Sequence, residues 1–170
     1  MISILETDRL ILREFTTDDA AFILRLVNEP SWIQFIGDRN VHSVEDAIQY
    51  LANGPIKSYE EHGYGFGLVS LKENNLAIGM AGVTKRTYLD AADLGFAFFP
   101  EHTGKGYALE IAKAIIEYGK DVLQFQKVYA FTAKDNIRSI QLLHKIGFVY
   151  YSPLMMEKEE LNLYKVELNS

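Results

Sequence analysis

The segment Phe96-Ala97-Phe98-Phe99-Pro100-Glu101-His102-Thr103-Gly104-Lys105-Gly106-Tyr107-Ala108 constrains this chain more than any other. Apolar residues of strand character run into a turn with two glycines one residue apart, and a helical pattern begins directly after it. Glycine reaches backbone conformations closed to residues with a Cβ. Several N–H groups can therefore converge on one anion, with the positive end of the next helix dipole aimed at it. Such a turn is a phosphate cradle, and a nucleotide, a dinucleotide and coenzyme A are the ligands it brings into view.

At 170 residues and 48% hydrophobic content, the chain is sized for one compact domain over residues 1–170 with a sizeable core. A formal net charge of -6 without a clustered basic stripe argues against a nucleic-acid or anionic-membrane surface and suits small cationic acceptors. The absence of cysteine excludes disulfides and thiolate chemistry. His42, His62, His102 and His144 show no metal-ligand spacing, so no metal is expected, although His102 stands beside the glycine turn. Early charges interrupt any signal-peptide core, and no apolar run approaches the roughly 20 residues that span a bilayer. A soluble cytoplasmic protein is expected.

The pattern predicts a first strand over Arg9–Phe15, then a helix capped from Thr17-Asp18-Asp19, buried through Phe22, Ile23, Leu26 and Val27 and stopped by Pro30. A second helix starts at Ser43, turns Ala47, Ile48 and Leu51 inward, and ends at Gly54-Pro55. Gly63–Leu71 and Ala77–Lys85 flank the turn signal Glu73-Asn74-Asn75 as a hairpin, and Asp93–Phe99 is the strand entering the glycine turn. The long helix after it carries Ala108, Ile111, Ala112, Ile115, Ile116, Val122 and Leu123 inward and leaves Glu110, Lys113, Glu117 and Lys120 to solvent. Val128–Thr132 reads as a buried strand and Asn136–Ile146 as a helix with Gly147 as its C-cap. Phe148–Tyr151 and Leu161–Leu168 supply closing strands.

Thr7-Asp-Arg-Leu-Ile-Leu-Arg13, Asp93-Leu-Gly-Phe96, Pro100–Ala108, Asn136-Ile-Arg-Ser139 and Lys145-Ile-Gly-Phe148 occur in this order over nearly the whole chain. The set resembles the GNAT N-acetyltransferase superfamily, most closely its ribosomal-protein N-terminal acetyltransferase branch. Rival ligands for the turn fail on spacing. A Walker A loop needs four residues between its first glycine and Gly-Lys-Ser/Thr, and a dinucleotide fingerprint wants a small residue where Leu109 stands.

The resemblance implies an α/β (α+β) fold: a mixed, mostly antiparallel twisted sheet of about seven strands, helices on both faces, and a splayed central strand pair. It implies acetyl-CoA as cosubstrate, with its pyrophosphate on the N–H groups of Thr103, Gly104, Lys105, Gly106, Tyr107 and Ala108. The main chain of Phe96, Ala97 and Phe98 would hold the pantetheine and polarise the thioester. A donor of that kind is worth about 3 kcal/mol in analogous sites. Asn136 would contact the cofactor or cap its helix, and Ser139 would lie near the departing sulfur. Leu143 occupies the place where many members carry a tyrosine acid, and Glu101 the place where Gln or Arg often opens the loop.

The implied reaction is direct acetyl transfer to a neutral primary amine. At pH 7 deprotonation costs about 1.4 kcal/mol for an α-amine and about 4.6 kcal/mol for a lysine-like amine, so the second needs a stronger base. Asp93 is the candidate base, acting through water, with a solvated strand-end carboxylate as the alternative; Glu110 ranks below it. Acceptor contacts are placed in Glu29–Gly37 and around Tyr88–Asp90, with Trp32, Phe35 and Tyr64 forming an apolar wall or part of the core. The acceptor itself stays open between an N-terminal peptide and a small-molecule amine. Leu143 and Glu101 keep a second reading in view, a catalytically silent coenzyme A sensor or interaction module. Members of the family are often monomers or dimers, and Leu154-Met155-Met156 hints at a homodimer.

Overall fold

The structure is a computed structural model that describes residues 2–168. Strands β1 (Ser3–Glu6), β2 (Leu10–Glu14), β3 (Phe66–Leu71), β4 (Ala77–Thr84) and β5 (Asp93–Phe98) pair antiparallel in succession. β6 (Lys127–Thr132) lies parallel to β5, and β7 (Val149–Met156) and β8 (Glu159–Glu167) complete an eight-stranded sheet in the order β1-β2-β3-β4-β5-β6-β8-β7. The extra strand relative to expectation is β1, an edge strand held by its pairing with β2.

Helices cover both faces. On one, α1 (Ala20–Val27), α2 (Pro30–Phe35) and α3 (Val44–Leu51) pack Ile23, Leu26, Trp32, Ala47 and Leu51 against Leu68, Met80 and Phe99. α4 (Lys57–His62) follows α3. On the other face, α5 (Tyr107–Asp121) brings Ile111, Ala112 and Ile115 onto Val69, Ile78, Ala81 and Leu94, and α6 (Ile137–Lys145) adds Leu143. The neighbours Leu68 and Val69 enter opposite cores because successive strand side chains alternate between faces. Each fully buried leucine or isoleucine contributes about 1.5–3 kcal/mol.

Four local expectations are corrected. The first cap is Thr16, whose hydroxyl accepts from Asp18 N–H while the Asp19 carboxylate accepts from Thr16 N–H. Pro30 opens α2 instead of ending α1, since a proline at a first helical position gives up an N–H that has no helical partner. Gly54-Pro55 does not end the second helix. The chain widens into a π-helical turn, Ala52–Ile56, whose looser spacing admits the proline, and continues into α4. Ile48 and Val122 are exposed, the first lying beside the Ala47–Leu51 stripe and the second beyond the end of α5.

Candidate active site

β4 and β5 stay paired from Thr84↔Asp93 to Gly79↔Phe98, whereas β5 and β6 share one register pair, Asp93↔Tyr129, beside the Tyr129 N–H bond to Ala92 O at 2.9 Å. Past Asp93 the two parallel strands part. β5 feeds the turn before α5 and β6 feeds α6, so two helix N-termini stand at the strands' C-terminal ends. Between them opens a cavity of about 1600 Å³ that runs on toward α2, α3 and the π-helical turn. Phe96, Ala97 and Phe98, all half-buried, line it along β5.

At the glycine turn, Gly104 and Gly106 take φ of +76° and +83°, and Gly106 caps α5. A Cβ on Gly104 would project into open space. Among the described residues, the N–H groups of Gly104 through Leu109 have no main-chain acceptor, and the α5 ladder starts with Glu110 N–H on Gly106 O. Thr103 N–H is already bonded to Pro100 O, so the free run begins at Gly104. Thr103, Gly104, Gly106, Tyr107 and Ala108 line the cavity, while Lys105 turns its carbonyl to Arg9 Nη1 at 3.1 Å.

Arg9 is the residue that sequence reasoning quoted without a role. Its Nε pairs with Glu110 Oε1 at 2.7 Å, its guanidinium lies 4.5 Å from the Tyr107 ring centre, and Thr7 Oγ1 donates to Glu110 Oε2 at 2.5 Å. The edge of the sheet thus braces the turn. Glu110, expected in solvent, is the anchor of this brace. At the second helix start, Asn136 Oδ1 accepts from Ser139 N–H at 3.4 Å, a cap that leaves the amide NH2 unused, and both residues line the cavity.

Farther along, Asp93 is not a solvated strand end. It is 2% exposed, and its Oδ1 accepts from Arg86 Nε at 3.0 Å. Burial pushes its pKa up, against the pull of the Arg86 charge and hydrogen bond, and the balance lies above the usual carboxylate value. Arg86 escaped the sequence reading because the strand turn between Thr84 and Asp93 is what makes the two meet. Tyr50 was missed as well. Burial raises its phenol, opposed by the charges of Arg39 and Arg86, and Tyr50 lines the cavity with both.

Trp32 and Phe35 line the cavity, and Trp32 also belongs to the helical core. Tyr88 is exposed, outside the cavity lining and next to Arg86. Tyr64 packs on Phe125 in the other core, away from Trp32. Leu143 is buried, Glu101 lies exposed 3.7 Å from Arg25, and His102 lines the cavity. Among the described residues there is no cluster of three or more metal-ligating side chains and no helix long and apolar enough to cross a membrane.

Residues 9–149 match the family model of the acetyltransferase (GNAT) domain. The chain belongs to the GNAT acetyltransferase family. A Bacillus subtilis relative named uncharacterized N-acetyltransferase YoaA is 32% identical, over 87% of this chain and 84% of its own. In fold, the chain is similar to a Vibrio cholerae spermidine N-acetyltransferase in complex with CoA and spermine, with TM-score 0.79, 21% identity and coverage of 95% and 97%. It is likewise similar to the ribosomal-protein-S5-alanine acetyltransferase of Vibrio fischeri, with TM-score 0.82, 18% identity and coverage of 99% and 98%.

As a GNAT member the chain is an acetyl-CoA-dependent N-acetyltransferase that transfers an acetyl group to an amine. The unpaired N–H run and the open space at Gly104 fit a pyrophosphate, and the parted strands fit an extended pantetheine arm.

Proposed function

We propose that the GNAT domain spans residues 1–170 and works with one half of the cavity for acetyl-CoA and the other for a primary amine. The N–H groups of Gly104–Ala108 hold the pyrophosphate, with Thr103 and Lys105 shaping the turn, and the unused amide of Asn136 adds a donor. The unpaired edge of β5 at Phe96–Phe98 aligns the pantetheine and offers its main chain to the thioester carbonyl. When bound, acetyl-CoA supplies the acetyl group, which passes to the neutral amine with release of the coenzyme A thiol. Asp93, through a water, takes the amine proton. Ser139 serves the departing sulfur, since Leu143 brings no hydroxyl there. Trp32 and Phe35 border the acceptor, and Tyr88 acts from outside through Arg86. The similar structures include a spermidine N-acetyltransferase and a ribosomal-protein-S5-alanine acetyltransferase, so a polyamine and a protein alanine are the acceptors they bring into view. The working form is a cytoplasmic monomer or homodimer that needs neither metal nor nucleic acid.

The observation that carries this reading is the single β5–β6 pair at Asp93↔Tyr129 with two helix starts beyond it. Amide hydrogen exchange with and without acetyl-CoA tests it. Protection is expected at Gly104–Leu109 and at the start of α6; binding without protection at the glycine turn overturns the assignment.

A further inference from the structure

Among the described residues one buried side-chain polar atom lacks a hydrogen-bond partner, the indole nitrogen of Trp32. Buried N–H groups are almost always satisfied, and an orphan costs about 1–3 kcal/mol. This one belongs to a side chain only 5% exposed that borders the acceptor half of the cavity. Arg39, four residues past the end of α2, borders the same space. Arg9, Arg13, Arg25 and Arg86 each pair with a carboxylate, whereas Arg39 pairs with none among the described residues.

Carboxylates that line the same cavity already accept hydrogen bonds. Asp93 accepts from Arg86, Asp46 from His42 N–H, and Asp38 from Asn40 N–H. Acidic and basic side chains line the whole cavity in equal number, Glu29 and Glu61 included, so its lining carries no acidic excess overall.

We propose that the Trp32 indole N–H, with the Arg39 guanidinium lining the same space, receives a carbonyl or carboxylate oxygen of the acceptor, so that the site selects oxygen-bearing amines over polyamines. The inference rests on the placing of the acceptor in this half of the cavity. A small turn of the indole, or a shift of the segment after α2, brings the N–H to the ligand. The oxygen satisfies a donor that otherwise has no partner, and binding is therefore the event that completes the core around Trp32. An amine of the same shape without the oxygen leaves the donor orphaned and is discriminated against.

Trp32 is the only tryptophan, so both its emission and its chemical replacement report on one site. The probes are phenylalanine, phenylalanine amide, a dipeptide beginning with phenylalanine, phenethylamine and spermidine, compared at equal concentrations of neutral amine. Tryptophan emission is expected to shift with the three oxygen-bearing probes and not with phenethylamine or spermidine. Which of the three responds most strongly separates a free carboxylate from an amide or peptide carbonyl. Thiol release should favour them by about tenfold or more in kcat/KM.

Replacing the single tryptophan by benzothienylalanine, which keeps the ring shape and removes the N–H, should erase most of that preference through KM while acetyl-CoA affinity holds. Arg39→Gln should reduce it in the same direction. A wild-type preference for phenethylamine or spermidine, or an equal slowing of all acceptors by the replaced ring, overturns the proposal. If acetyl-CoA binds but no amine releases thiol, the acetyl-transfer assignment fails instead, and the emission shift alone decides the role of Trp32.

Discussion

At the glycine turn the cavity wall is main chain: the N–H groups from Gly104 to Leu109 come from one turn and one helix start, and the side chains around them only brace it. At the opposite end the wall is side chain: Trp32 comes from α2, Tyr50 from α3, Arg86 from the β4–β5 connection and Asp93 from β5. The first kind of site tolerates change wherever the backbone path survives. The second depends on each residue and on the packing that brings it there, which is why a family can keep its donor chemistry while acceptors vary.

The largest expected effect falls on the main-chain end. Gly104→Ala with Gly106→Ala forces two Cβ atoms into the left-handed region at about 1–2 kcal/mol each. Calorimetric affinity for acetyl-CoA should drop about 30- to 1000-fold; an unchanged value would break the contrast at once.

On the side-chain end, Asp93→Asn removes the proposed base. Turnover should fall about 100-fold at pH 6, where an α-amine is mostly protonated, and the deficit should shrink above pH 8. An equal loss across a pH–rate profile would mean that Asp93 serves only to hold Arg86. The same carboxyl has a stability signature. Because its folded pKa is raised, its contribution to stability is fully present below the unfolded value near about 3.9 and is lost as pH rises through the folded value. Asp93→Asn should flatten that part of the stability profile in denaturant titrations.

Ser139→Ala is expected to cost less. A thiol pKa of about 8.5 makes the thiolate a fair leaving group at pH 7, which limits the benefit of a proton donor to about tenfold in kcat, with KM for acetyl-CoA unchanged. An unaltered kcat in single-turnover measurements assigns that proton to water.

The smallest effect probes the brace. Arg9→Ala should weaken acetyl-CoA binding about three- to tenfold by releasing the Lys105 carbonyl. Burial pushes the Glu110 carboxyl up, but the bonds from Thr7 and Arg9 outweigh it and hold the group below its usual value. Its contribution is therefore fully present above the unfolded value near about 4.3 and is lost as pH falls through the lowered folded value. Thermal melts between pH 5 and 3 should show a shallower acid loss in Arg9→Ala than in the wild type.

Much of the fold was legible. The β3–β4 hairpin, β5, α5, β6 and α6 follow the residue pattern because their turns and caps are local: Asn74-Asn75, Gly106, Asn136 and Gly147 each act on neighbouring backbone. Pro30 and Pro55 misled the reading because proline has two compatible uses, opening a helix or sitting in a widened turn, and the packing of α2 and α4 chooses between them.

By itself the sequence determined the free N–H run at the glycine turn, since a glycine at positive φ followed by a helix start needs nothing from elsewhere to present its N–H groups. Tertiary structure alone decided the rest of the chemistry. It buried Asp93 against Arg86, braced the turn through Arg9 and left the indole of Trp32 without a partner. Each of these is a meeting of separate elements, and its energy comes from burial and charge that exist only after the sheet and helices have packed.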